Sequence, residues 1–229
     1  MSGVTEKIRS RGYWEVAIRP QPLDPQRVDY GDLLELIEAA TVRMRGWPVP
    51  FIDRREEPMR AENWVGQDVD AEMVGHHEAW RFFMSGQFNQ LRSISADWRD
   101  DDERRFVPDG FDGVLQVWEV LFYLTEVFEL ASRLALGPAG EETMEIKVRL
   151  DGLANRGLIV GQSNRSEFFQ PYRFQMNSME REISLSREEL VANGREQAVT
   201  MSREIFLRFG WEPSIEQLRE HQQELTERG

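Results

Sequence analysis

The 229-residue chain contains no cysteine, which excludes thiol nucleophiles, cysteine-ligated zinc, iron–sulfur clusters and disulfide staples. Lysine is almost as scarce: of 28 basic residues only Lys7 and Lys147 are lysine. Most lysine-dependent chemistry, such as a phosphate-cradling P-loop or a Schiff base, is thereby removed. Histidine occurs three times. With so few nitrogen ligands and no thiolate, a closed transition-metal site is not expected, and no cofactor motif is present. The N-terminal MSGVTEKIRSRGYWEVAI lacks the apolar core and small-residue cleavage site of a secretory signal, so the expected location is cytoplasmic. No internal repeat or low-complexity tract is found.

What is present suits a folded domain. A chain of this length buries about 70% of its unfolded surface and needs no staple. The formal net charge of −13 is unevenly placed. Residues 1–60 carry ten basic and ten acidic side chains, whereas residues 61–130 carry five against fifteen. That excess opposes nucleic-acid phosphates, and no general affinity for duplex DNA is expected.

Periodicity gives the elements. YWEVAIR (13–19) alternates as a half-buried strand, and the prolines of PQPLDP close it. Asp32 opens a helix in which Leu33, Leu34, Ile37 and Ala40 or Thr41 recur at helical spacing. RMRGWPVPFI (43–52) reads as a second strand, interrupted by its prolines. AWRFFM and QFNQL flank Ser85-Gly86 as a hairpin with Trp80, Phe82 and Met84 on one face, although Phe88, Leu91, Ile94 and Trp98 also fit a short helix. Residues 114–136 are the strongest helix signal, closed by Gly137-Pro138. Its polar residues Gln116, Glu119, Tyr123, Glu126, Glu129 and Arg133 form one stripe roughly 140° wide, read as an exposed edge or an ion-paired face. Three glutamates and an arginine would each cost about 2.5 kcal/mol in a bilayer, so this is a buried core helix and not a membrane span.

MEIKVRL and GLIVG suggest a hairpin around Asp151-Gly152, and YRFQMNSMEREISL a further strand. Ser186 and Glu189 have capping-box form. The helix they open shows Leu190, Gly194, Ala198, Met201, Ile205 and Phe209 on one face and stops at Gly210. Pro213-Ser214 starts a last amphipathic helix. The expected fold is α+β: a mainly antiparallel sheet, a buried central helix (114–136) and two C-terminal helices. Residues 1–229 form one domain, or one with 186–229 as an appended subdomain.

Residues 64–98 concentrate three tryptophans, three phenylalanines and two histidines, as a binding surface or a core would. His76-His77-Glu78 offers metal-ligand types, but adjacent residues point to opposite sides of a strand, so the two imidazoles cannot chelate together. Gly161-Gln-Ser163-Asn follows an apolar run like the front of a nucleophile elbow, yet lacks the second glycine. The loop from Asp97 to Asp112 places Arg104 and Arg105 where a calcium loop needs oxygen and glycine. Glu119 and Glu126 lie about 10.5 Å apart along a helix, wider than a glycosidase pair. Arg43, Arg45, Arg54 and Arg55 surround Trp47, and guanidinium planes beside an aromatic suit a small anionic ligand or a short single strand, unless Asp53, Glu56 and Glu57 neutralise them.

RGYWEVAIRP (11–20), RGWPVPFID (45–53), GHHEAWRFFMSGQF (75–88) and FLRFGWEPS (206–214) together resemble an uncharacterised family of bacterial proteins whose members occur beside or joined to Schlafen-type, AlbA-like domains. The resemblance implies a bacterial cytoplasmic origin and a stress-response or defence setting, and it transfers no functional residue. The leading expectation is a non-catalytic binding or sensor module acting through a protein partner or a second copy. Its binding candidates are Arg43, Arg45, Trp47, Arg54, Arg55, His76, His77 and Trp80. The alternatives are a small hydrolase or nucleic-acid-processing factor using His76, His77 and nearby acids, and a ligand-binding protein with an apolar aromatic pocket.

Overall fold

A computed structural model describes residues 3–45, 47–98, 107–161, 166–170 and 172–227. In chain order the elements are α1 (Gly3–Arg9), β1 (Tyr13–Gln21), α2 (Leu33–Ala40), β2 (Met59–Arg60), β3 (Trp64–Ala71), β4 (His76–Phe83), β5 (Phe88–Ser93), β6 (Gly113–Gln116), α3 (Val117–Leu136), β7 (Thr143–Asp151), β8 (Arg156–Ile159), β9 (Tyr172–Arg173), β10 (Ser178–Ser186), α4 (Arg187–Phe209) and α5 (Ile215–Glu227). The fold is α+β. Seven strands form one antiparallel sheet in the order β10-β7-β1-β5-β4-β3-β2, and β6-β8-β9 form a small second sheet.

Alternation sets the faces of the large sheet. Trp14, Val16 and Ile18 of β1 pair with Arg92, Gln90 and Phe88 of β5 and with Leu150, Val148 and Ile146 of β7. Through β4 the same face continues into Glu78, Trp80 and Phe82. This inner face packs on α3, whose Val120, Leu121, Leu124, Val127, Phe128 and Leu130 are fully buried. The opposite, outer face carries Glu15, Ala17 and Arg19 of β1 and is partly covered by α1. The β4–β5 hairpin turns at Ser85-Gly86, where Gly86 has φ +79°; a Cβ there would also meet the Ala139 carbonyl oxygen at 2.3 Å. Only glycine satisfies both demands.

The C-terminal helices join the same core. The Ser186–Glu189 capping box is present, and Gly210 ends α4 in the left-handed conformation. Gly194 lies where α4 approaches the Phe128 carbonyl of α3, and Leu190, Ala198, Ile205 and Phe206 are buried beside it. From α5, Gln222 donates a 2.9 Å hydrogen bond to the buried Thr125 hydroxyl of α3. A second buried linkage ties the small sheet to the large one. Arg156 on β8 holds both oxygens of Asp97 at 2.7 Å and also donates to the Val114 carbonyl, while Asp97 accepts the Gly12 N–H.

Several local expectations need correction. Among the described residues of 43–52 no strand forms; those of 41–58 make an irregular loop with an isolated bridge between Val42 and Val49. Residues 113–116 are a strand running directly into α3 and pairing in parallel with β8. Segments β7 and β8 do not make a hairpin, because both edges of β7 are occupied by β1 and β10. Strand β1 extends through Pro20, which is tolerated because its ladder with β5 ends at Ile18. Residues 88–93 are strand and not helix. The serine of Gly161-Gln-Ser163-Asn and half of the acidic loop, residues 99–106, lie outside the described residues. Among the described residues, no helix is long and apolar enough to cross a membrane.

Candidate functional site

The two clusters noted in the sequence meet on one side of the fold. Strand β4 sends alternate residues to opposite faces, so His76 and His77 separate. His76 points inward, its Nε2 3.0 Å from Glu78 Oε2. Glu78 is completely buried, and its other oxygen accepts the Phe51 N–H at 2.9 Å. Trp80 is also fully buried and donates its indole N–H to the Phe51 carbonyl at 2.8 Å. One peptide segment of the 41–58 loop is therefore gripped on both its donor and acceptor sides by β4.

Further grips fix the remainder of the loop. The Gln67 side chain of β3 accepts the Asp53 N–H and donates to the Asp53 and Glu56 carbonyls. Arg45 reaches inward to α3, its Nε 3.0 Å from Glu126 Oε1 and its Nη2 on Glu126 Oε2. Glu126 is fully buried, whereas the Arg45 side chain keeps 26% of its exposure. A loop without regular structure must place its backbone polar groups somewhere, and here buried side chains receive them.

This arrangement presents Trp47 outward. The residue is 43% exposed, and its ring stacks on His76 with centroids 5.6 Å apart at 23°, with the Phe51 ring centroid 5.2 Å away. Arg43 and Arg54 are exposed and have no ion-pair partner among the described residues. Arg55 is taken by Asp53, which that guanidinium holds at about 2, below the usual carboxylate range. Of the four arginines, one anchors the loop, one is locally neutralised and two remain available.

Behind the loop lies a buried polar seam. Tyr123 of α3 donates to Gln90 Oε1 at 2.7 Å and carries the Arg92 guanidinium 4.6 Å from its ring centre. Burial raises the Tyr123 phenol pKa far above its ordinary value, with Glu78 and Glu126 adding to the shift and Arg92 and Arg45 opposing it. Glu119 accepts the Ser95 N–H at 3.2 Å. The polar stripe of α3 is thus buried and hydrogen-bonded from Glu119 to Glu126, and becomes a surface ion pair only at Glu129–Arg133.

On the outer face His77 serves a different purpose. Its Nδ1 is 2.8 Å from Asp70 Oδ1, Lys7 of α1 bonds the same carboxylate, and Trp98 meets the ring edge-on at 4.3 Å. Burial, with help from the Lys7 charge, lowers the His77 pKa below its ordinary value despite Asp70. His77 therefore fastens α1 to the sheet. Among the described residues, no three histidine or carboxylate side chains gather as a metal-ligand set. No hydroxyl group there is hydrogen-bonded to a ring nitrogen of His76 or His77.

Sequence reasoning had singled out Arg45, Trp47, His76 and Trp80 but not Glu78 as an anchor, nor Phe51, Gln67 and Glu126 as their partners. Compared with protein families, curated proteins and solved structures, the chain matches none.

Proposed function

We propose that this protein is a non-catalytic binding module that acts through a protein partner docked on the 41–58 loop. One observation carries the reading: a long irregular loop, held by buried side chains, carries a half-exposed tryptophan and two exposed arginines that have no ion-pair partner among the described residues. Tryptophan and arginine dominate interface energetics. A pre-fixed loop also loses little conformational entropy on binding, so more of the contact energy becomes affinity. Ordered loops of this length without secondary structure are usually functional. Such a module would act within a larger bacterial cytoplasmic system, the setting that the sequence resemblance implies.

The hydrolase alternative has one specific observation in its favour, the 3.0 Å contact between His76 and the buried Glu78. A carboxylate oriented on an imidazole is part of a general-base arrangement. Here, however, the same carboxylate holds the loop, and Trp47 covers the imidazole. Quantitative affinity capture from the native cell separates the two readings. Wild type should enrich a specific partner, and a Trp47→Ala/Arg43→Ala/Arg54→Ala variant of unchanged melting temperature should lose it. Equal capture by both proteins, together with a hydrolytic activity abolished by His76→Ala, would overturn the proposal.

A further inference from the structure

The inner face of the large sheet holds a charge that the loop contacts leave unused. Glu78 of β4 and Arg92 of β5 are directly opposed across the antiparallel ladder, a position in which side chains of opposite charge ordinarily pair. Here they do not. Both Glu78 oxygens are taken, one by His76 and the other by the Phe51 N–H of the 41–58 loop. Arg92 is only 9% exposed, and its side chain lies against the Tyr123 ring, 4.6 Å from the ring centre. Its guanidinium makes no hydrogen bond or ion pair among the described residues.

A buried guanidinium with no anion in contact is unfavourable, and its surroundings have spare hydrogen-bonding capacity. Trp14 Nε1 and Gln90 Nε2 are buried donors without a partner, and Glu119 Oε2 is a buried acceptor without one. All three belong to residues around the same tyrosine. Trp14 meets the Tyr123 ring edge-on at 5.1 Å, Gln90 takes the Tyr123 hydroxyl through its carbonyl oxygen, and Glu119 precedes Tyr123 by about one turn of α3. A polar seam with several unsatisfied members gains from a change of pairing.

Glu78 is therefore claimed from two sides. In the docked state it holds the loop through Phe51. A turn of its side chain toward Arg92 forms a charge-assisted pair and releases the Phe51 N–H to water. Meanwhile Trp80 on the Phe51 carbonyl, Gln67 on Asp53 and Arg45 on Glu126 keep the loop near the sheet. One ionic hydrogen bond replaces another, so the two arrangements differ by far less than folded and unfolded chains do.

We infer that Arg92 competes with Phe51 for Glu78, which makes the 41–58 loop a two-state strap whose minor state frees the Phe51 amide and loosens the stack of Trp47 on His76. Its consequence for docking rests on the reading of Trp47 as a partner contact; the equilibrium itself does not.

Hydrogen exchange of the Phe51 amide, followed by NMR in the full chain well below its melting temperature, tests this without a partner. Its outcome is thereby separate from that of the capture experiment. In the wild type this amide should exchange by local opening, at a rate little changed by low denaturant, while β4 amides follow global unfolding. Arg92→Met keeps an unbranched stem on Tyr123 and removes the competing charge, so Phe51 exchange should slow by at least about threefold. On a Glu78→Gln background, whose amide oxygen still accepts the Phe51 N–H, the same substitution should have no effect. Faster or unchanged exchange in Arg92→Met would overturn the inference, since Arg92 would then support the docked loop or be indifferent to it. Slowing that persists on the Glu78→Gln background, or wild-type exchange of Phe51 only through global unfolding, would overturn it equally.

Discussion

The ion pair between Arg45 and Glu126 should respond asymmetrically to removal of its two partners. Glu126 is completely buried, while Arg45 retains about a quarter of its side-chain exposure, at 26%. With roughly 4 Å between charge centres and an effective dielectric constant near 20, their attraction is about 4 kcal/mol. Much of this is cancelled by the cost of taking the carboxylate out of water. Arg45→Met strands Glu126 in the core and should cost about 3–5 kcal/mol, the range for a broken buried pair. Glu126→Leu leaves an arginine that can extend toward water, and the loss should be nearer 1–2 kcal/mol, a discount from the same range for residual solvation. The double variant Arg45→Met/Glu126→Leu should recover to within about 1 kcal/mol of wild type, since apolar replacement of both partners is close to neutral.

Denaturant and thermal unfolding of the four proteins close the cycle. For a chain of this size about 2–4 °C of melting temperature accompanies each kcal/mol, so Arg45→Met should fall by at least roughly 6 °C. The decisive sign is that the double variant is more stable than Arg45→Met alone. If the two single losses simply add, or if Arg45→Met is near neutral, the burial assigned to Glu126 is wrong.

Leu124→Asp should cost more than about 4 kcal/mol, because Leu124 is fully buried among apolar groups and an unpaired carboxylate there has no solvent or partner; a loss below about 1 kcal/mol in urea melts would refute the orientation of α3. The lowered His77 pKa makes stability pH-dependent: the folded protein favours the neutral ring, so this contribution is complete above the ordinary value near 6.5 and is lost as pH falls through it toward the folded value. Melts between about pH 7.5 and 5 should show that slope, and His77→Gln should flatten it; an unchanged slope would assign the acid sensitivity elsewhere. Duplex DNA should not bind below about 1 µM at physiological salt, and tight binding with a steep salt slope, unaffected by changing Arg43, Arg45, Arg54 and Arg55 to alanine, would contradict the charge argument.

The parts of the fold legible in the sequence are those fixed by local periodicity or local capping. Trp14, Val16 and Ile18 alternate because one face of β1 is buried, and Ser186 and Glu189 satisfy each other three residues apart. Strand β3 escaped notice because its apolar residues are interrupted by Asp68 and Asp70, which face outward to Arg81 and to Lys7 with His77. The segment from 43 to 52 imitated a strand for the opposite reason: Val42 and Val49 are buried and bridged to each other, while the backbone at Thr41, Phe51, Asp53 and Glu56 bonds to side chains of other elements. The polar stripe of α3 was visible as a pattern, but its environment was not. Tyr123 finds Gln90 33 residues away, and Glu126 finds Arg45 81 residues away. Local periodicity carries no information about partners at that separation.

Those distant partners give the loop its footing. Trp47 is held in place through Glu126 on α3, Glu78 and Trp80 on β4 and Gln67 on β3, all of them inside the core. Releasing one foothold should therefore loosen the loop before it disturbs the sheet. Glu126→Leu, assayed well below its melting temperature, should reduce partner capture through Trp47 by about tenfold, equivalent to roughly 1.4 kcal/mol of lost pre-organisation. Loss of capture with the unfolding transition displaced to the assay temperature would mean that the variant acts through general destabilisation, and retained capture would mean that Glu126 does not position the loop.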